Sequence, residues 1–242
     1  MGERRLGAAE EVIVRRAARE LRSGMVVNLG IGLPTFVPRY LPDGVDVAFH
    51  SENGFVGMGP PLEGGTPDHE VIDAGGRACT VSPGAAFFDS LLSFAIVRGG
   101  NLDVAVLGAF EVSLAGDLAN WKIPGRLTPG MGGAMELAQK ANCVLVVSRH
   151  LDKRGRGKIV AECSLPLTAP RCVDVLVTER AVFRRRATEL AGGEATITPA
   201  GGVRPPGRLQ LVSVHPEHTV DSAREGCPPQ LEVADELEPW EA

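Results

Sequence analysis

Two uninterrupted apolar runs constrain this chain most: Asp-Val-Ala-Val-Leu at 103–107 and Cys-Val-Leu-Val-Val at 143–147. Each has the length of a strand and lacks polar alternation, the pattern of a strand covered on both faces in a parallel sheet. A further strand is expected at 25–29, leading into Gly30-Ile31-Gly32, and another over 45–49. Helical spacing covers 8–22, with Gly24 as its stop, and Pro34 opens a short helix. Further helices are expected at 86–97 and 136–140. Strands alternating with helices predict an α/β fold with an open, mostly parallel sheet and helices on both faces. The glycine turns after Leu29, Phe49 and Leu107 then fall at strand ends, where such sheets place their sites.

A chain of 242 residues can bury the core of one large α/β domain. Its net charge of -5 supplies no basic field for nucleic acid or an anionic membrane surface. No apolar run approaches the ~20 residues that span a bilayer, and the start, Met1-Gly2-Glu3-Arg4-Arg5, leads into a charged amphipathic stretch. A cytoplasmic protein with neither nucleic acid nor membrane as a partner is expected. Five cysteines without a Cys-x-x-Cys pattern predict reduced, structural thiols, and no metal site is expected.

The segment His50-Ser51-Glu52-Asn53-Gly54 sets one carboxylate in a turn-forming cluster just past an apolar strand. Taken alone, such a glutamate is a solvated turn residue. At a strand end with little side-chain bulk around it, it is also placed to act as a nucleophile, which as an anion needs no base.

Three other motifs change that balance: Val27-Asn28-Leu29-Gly30-Ile31-Gly32-Leu33-Pro34, Gly116-Asp117-Leu118-Ala119-Asn120-Trp121 and Gly130-Met131-Gly132-Gly133-Ala134-Met135. With the Ser-Glu-Asn-Gly segment, they resemble the B-type (beta) chain of the family I 3-oxoacid CoA-transferases, of the acetoacetate and 3-oxoadipate:succinyl-CoA type. The resemblance runs over roughly residues 10–182 and returns weakly near 214–234. It implies that Glu52 is the catalytic nucleophile, attacking an acyl-CoA to form an anhydride and then a glutamyl-CoA thioester. An acceptor acid reverses these steps in ping-pong fashion. It implies oxyanion and acyl-group contacts from Asn28, Gly132 and Gly133, a site-shaping loop of Ser51, Asn53 and Gly54, and coenzyme A as substrate and transient adduct without a permanently bound cofactor. A separate A-type CoA-transferase subunit, in a heterodimer or heterotetramer, is the implied partner.

Some residues depart from the family pattern. Where family members read Asn-Ala-Gly-Lys, this chain has Asp73-Ala74-Gly75-Gly76, and Arg77 is left as a possible ligand contact. Arg149 stands where an acidic residue usually precedes the histidine matched by His150. Asp117, Asn120 and Trp121 are expected to anchor a loop, and His150 and Cys163 to be structural. The expected divisions are a core at 1–182, a divergent Gly/Pro/Arg-rich connection at 183–208, a strand and helix completing the domain at 209–234, and a poorly ordered acidic tail at 235–242. Rival functions are a hydrolase or ring-opening enzyme on an oxo-acyl-CoA, and a degenerate assembly subunit.

Overall fold

The computed structural model describes residues 5–61, 68, 70–128, 130–187, 196–197, 203–204 and 206–241. The chain opens with helix α1 (Ala8–Ala18), strand β1 (Val26–Leu29), a 3-10 helix (Leu33–Tyr40), β2 (Ala48–Ser51), β3 (Phe55–Pro61) and β4 (Cys79–Phe87). Helix α2 (Ser90–Arg98), β5 (Val104–Gly108), β6 (Glu111–Ser113), β7 (Leu118–Ala119), α3 (Ala134–Lys140), β8 (Cys143–Val147) and β9 (Ile159–Val160) follow. The remainder comprises β10 (Val175–Val177), β11 (Ala181–Arg186), β12 (Thr196–Ile197), β13 (Val203–Arg204), β14 (Arg208–Val214), α4 (Val220–Arg224) and β15 (Glu232–Val233).

Ten strands form the main sheet in the order β15-β14-β11-β10-β8-β5-β1-β2-β3-β4. Its centre, from β10 through β8, β5 and β1 to β2, is parallel throughout. The flanks are antiparallel at β10-β11-β14 and at β2-β3-β4.

The two apolar runs serve both faces alternately. In β5, Val104 and Val106 enter one core cluster with Ile13, Val14 and Ala17 of α1 and Phe36 of the 3-10 helix. Ala105 and Leu107 point the other way, to Val97 of α2 and Leu137 and Ala138 of α3. Strand β8 repeats this, with Leu145 and Val147 on the α1 face and Val144 and Val146 on the α2–α3 face. A strand with both faces covered has no side left for polar residues, which is why the runs are continuous.

Several expectations are corrected. The helix expected at 86–97 begins at Ser90, because Asp89 caps it by accepting a hydrogen bond from Leu92 N–H at 2.8 Å. Residues 86 and 87 instead end β4, with Phe87 stacked on Phe55 at 5.2 Å between ring centroids. The β3–β4 hairpin escapes a sequence reading because its glycines look like loop. A Cβ on Gly57 would lie 2.8 Å from that of Ala85, so the glycine is what lets the two strands close. The helix expected over 8–22 ends at Ala18.

The connection expected from residue 183 starts inside β11, which pairs with β14 from Ala181 to Arg186. Its positions 188–195, 198–202 and 205 lie outside the described residues. The acidic tail is packed, not loose. Glu238 accepts from Arg184 at 2.9 Å and Arg186 at 2.8 Å, and Trp240 lies edge-on to His215 with the Arg16 guanidinium over its ring. An acidic segment remains in place when arginines await it.

Candidate active site

The C-terminal ends of β1 and β2 meet the turn that carries Glu52. This turn is held from several sides. Gly54 N–H donates to Ser51 O at 3.0 Å, and Phe88 N–H donates to Gly54 O at 2.8 Å. Gly54 has φ +135, and a Cβ there would overlap the Phe88 carbonyl oxygen, so only glycine fits on two counts. Ser51 Oγ donates to Asn53 Oδ1 at 2.6 Å and accepts from Ala74 N–H at 3.1 Å, while Asn53 Nδ2 donates to Ile72 O at 2.8 Å. Ser51 and Asn53 therefore staple the 72–74 segment beneath the turn, and the carboxylate between them is left to face the site.

Glu52 itself is half-buried. Burial raises its carboxyl pKa above the ordinary value, and a hydrogen bond from the Gly133 backbone N–H pulls it back down. Gly133 has φ -76 and ψ -5, a conformation open to any residue. The reason for glycine here is space: a Cβ would lie 2.9 Å from the Glu52 carboxyl carbon and 2.9 Å from Phe94 Cζ. Gly132, at φ +57, shapes the approach to Gly133. The α2 and α3 helices that carry Phe94 and follow Gly133 are joined by an Arg98–Glu136 ion pair at 2.7 Å. The resemblance implies an oxyanion contact for Gly133, and the structure sets Gly133 directly against the Glu52 carboxyl group.

Asn28 is buried behind Glu52 on the neighbouring strand. Its Nδ2 donates to His50 Nδ1 and to His50 O, each at 3.2 Å. A carbonyl oxygen only accepts, so the amide orientation is set, and the Oδ1 atom has no partner among the described residues. Both N–H groups expected to contact the acyl group are thus turned to His50. His50 is buried, and desolvation depresses its pKa to about 4. The neutral ring accepts at Nδ1 and donates Nε2–H to Ser93 Oγ at 2.9 Å. Sequence reasoning left His50 without a role. Its place two residues before Glu52 on a strand was the one clue, whereas Ser93 on α2 had none.

Arg77 does not face the site as a free cation. Its Nε and Nη2 both donate to Asp73 Oδ2, at 2.9 and 2.8 Å, across a turn whose Gly75 N–H also donates to that carboxylate. The Gly116–Trp121 motif anchors a loop: Asn120 Nδ2 donates to Gly108 O at 3.0 Å, and Trp121 Nε1 donates to Leu167 O at 3.1 Å. His150 is buried, with its Nε2 2.9 Å from Glu225 O and its pKa lowered mainly by desolvation. All five cysteines are free, and burial pushes the Cys163 thiol up to about 12. Among the described residues, no His, Cys, Asp and Glu cluster suits a metal ion, and no helix is long and apolar enough to cross a membrane.

The structure thus presents a mixed sheet with a parallel centre, layered by helices, and one half-buried carboxylate at a strand end packed against Gly133. A sequence profile described as coenzyme A transferase matches residues 11–203, and the chain belongs to that family. It is 53% identical over 174 residues to the B chain of the succinyl-CoA:3-ketoacid coenzyme A transferase of Helicobacter pylori (strain J99), covering 72% of this chain and 83% of that one. It is 51% identical over 176 residues to the beta chain of the acetate CoA-transferase of Escherichia coli, covering 73% and 80%. The crystal structure of the acyl-CoA transferase YdiF from Escherichia coli O157:H7 superposes with a TM-score of 0.72 at 19% identity. That match covers 99% of this chain but only 45% of the longer YdiF chain, so it speaks to the fold. Both the α/β reading and the identification as a B-type CoA-transferase subunit stand.

Proposed function

We propose that this chain is the nucleophile-bearing half of an enzyme that moves CoA from succinyl-CoA, or a similar acyl-CoA, to a 3-oxo acid through a thioester on Glu52. The observation that carries the reading is a half-buried Glu52 carboxylate at a strand end packed so closely on the Gly133 backbone that a Cβ there would lie 2.9 Å from the carboxyl carbon. Burial makes this carboxylate more basic than a solvated one, and the Gly133 donor fixes its direction. Attack on the acyl-CoA carbonyl forms a C–O bond, breaks the C–S bond and releases CoA thiolate. The thiolate then adds to the Glu52 carboxyl carbon, so the oxyanion of that second step forms on Glu52 itself. The Gly133 N–H already sits on that carboxyl group and stabilises the charge without reorganising. Expulsion of the donor carboxylate leaves the glutamyl-CoA thioester, and an acceptor carboxylate runs the sequence backwards. No net proton transfer is needed, in keeping with a site whose nearest histidine is buried and neutral.

The partner in this reading is an A-type subunit. Phe87, Leu91 and Leu92 are 59%, 73% and 50% exposed on β4 and α2, on the flank that also carries Phe94. An apolar surface of this kind beside an active carboxylate suits a second chain that completes the site. Coenzyme A serves as substrate and passing adduct, and free thiols fit the cytoplasm.

The test is intact-mass analysis of the chain, co-purified with its A-type partner and mixed with succinyl-CoA. A CoA-sized increase mapped to Glu52, discharged by added carboxylic acid and absent in Glu52→Gln, is expected. A wild-type complex that consumes acyl-CoA while forming no adduct overturns the reading.

A further inference from the structure

Helices α1 and α3 open on the same kind of sequence, Gly7-Ala8-Ala9-Glu10 and Gly133-Ala134-Met135-Glu136. In each, a glycine is the N-cap residue, and a glutamate stands three positions on, where a side chain can reach back and accept the N-cap N–H. In α1 this bond is made: Gly7 N–H donates to Glu10 Oε2 at 3.1 Å, with Gly7 extended at ψ 159. In α3 it is not. Gly133 has ψ -5, and Glu136 Oε1 accepts instead from Arg98 Nη2 of α2 at 2.7 Å. The second oxygen, Glu136 Oε2, is buried without a hydrogen-bond partner among the described residues.

A buried carboxylate oxygen without a donor is costly and is drawn to any N–H within reach. Glycine passes between the two ψ values with little steric hindrance. A capped α3, built like α1, is therefore open to this chain, and in it the Gly133 N–H would belong to Glu136. The observed conformation instead sets Gly133 against the Glu52 carboxyl group, where a Cβ would lie 2.9 Å from the carboxyl carbon, and its backbone pulls the Glu52 pKa down. Arg98 is fixed on the same spot from the other side. Its guanidinium lies over the Phe94 ring, 5.8 Å from the centroid, and Phe94 Cζ is also 2.9 Å from the Gly133 Cβ position. We infer that Arg98 is a positioning residue, which occupies Glu136 and so keeps the Gly133 N–H turned to the reacting carboxyl group. The inference rests on the proposed function and adds to its site a residue that acts through another. An ion pair whose arginine is 50% exposed contributes little to stability, so the pair matters for the bond it prevents.

Two double variants separate this from a plain charge effect. Arg98→Met with Glu136→Gln and Arg98→Met with Glu136→Ala carry the same charge, and methionine keeps an aliphatic stem beside Phe94. Only the glutamine can cap the Gly133 N–H. Arg98 is half exposed, and losing it does not threaten the fold. In the complex with the A-type partner, single-turnover formation of the CoA adduct from succinyl-CoA is followed across pH. The glutamine variant is expected to be at least about 10-fold slower than the alanine variant, because a displaced group at the reacting centre costs rate. Its acid limb should move to higher pH, while the half-saturating succinyl-CoA concentration stays the same. The alanine variant should follow the wild type. Equal rates and limbs in the two double variants overturn the inference. A second readout needs no turnover: carbon NMR of the Glu52 carboxyl group, titrated in the two resting complexes. A higher pKa in the glutamine variant supports the inference even if no adduct ever forms, in which case the proposed function fails instead. Coincident titrations beside normal adduct formation overturn the inference alone.

Discussion

Gly133 and Glu52 are fitted to each other: the Gly133 backbone pulls the carboxyl pKa down against the effect of burial, and a methyl group on the glycine would lie 2.9 Å from the carboxyl carbon. The backbone at Gly133 tolerates any residue, so the close approach alone demands glycine. Gly133→Ala must displace either Glu52 or Phe94. We expect about 100-fold loss of turnover, the order seen when a reacting group is misplaced by an ångström. The thermal midpoint should hardly move. Steady-state rates and differential scanning calorimetry on the same preparation check this, and wild-type turnover would remove the glycine from the mechanism.

The raised carboxyl pKa of Glu52 sets a pH limit. Only the anion attacks, and the folded protein holds the proton to a higher pH than a free glutamate does, so the acid limb of adduct formation should sit above the ordinary value of ~4.3. Single-turnover formation of the CoA adduct across pH measures it. A limb at or below the free value would show that burial is not felt by the reacting group.

His50 should titrate near pH 4 and carry its proton on Nε2 at neutrality. Its folded pKa is depressed, so between ~6.5 and 4 the unfolded chain takes up a proton that the folded one refuses. Stability is therefore lost as pH falls through that window. Nitrogen NMR of the ring gives both the tautomer and the titration. Ser93→Ala, which orphans the Nε2–H, should destabilise the protein by about 1–3 kcal/mol.

The C-terminal segment should act as a clasp. Arg184 bridges Glu20 at 2.8 Å and Glu238 at 2.9 Å, joining the tail and the residues after α1 to β11. Glu238→Ala leaves a partly buried guanidinium short of one partner, and a loss of about 1 kcal/mol is expected by denaturant titration. Burial works to raise the Glu20 pKa, but the Arg184 and Arg16 contacts outweigh it and leave it lowered. The contribution of that pairing is full above the ordinary carboxylate range and fades as pH drops through the folded value. An acid midpoint for unfolding that is unchanged in Glu20→Gln would count against it.

Much of this protein was determined by its sequence alone. The apolar runs at 103–107 and 143–147 specify buried parallel strands, because a strand covered on both sides has no place for polar residues. The Ser-Glu-Asn-Gly segment puts a carboxylate at a strand end, because its small and turn-forming residues admit little else. Tertiary structure decided the rest, since it depends on contacts between residues far apart in the chain. Phe87 reads as helix but stacks on Phe55 in a strand. Arg77 reads as a possible ligand contact, but its pairing with Asp73 could not be read from the sequence. The Asn28 amide reads as a donor to substrate, but its N–H groups go to His50, whose ring is held in turn by Ser93, 43 residues along the chain. Local pattern specifies which element forms and where a turn falls. Which donor meets which acceptor is settled only when the sheet brings β1, β2 and α2 together, because a buried polar group bonds to whatever the packing places beside it.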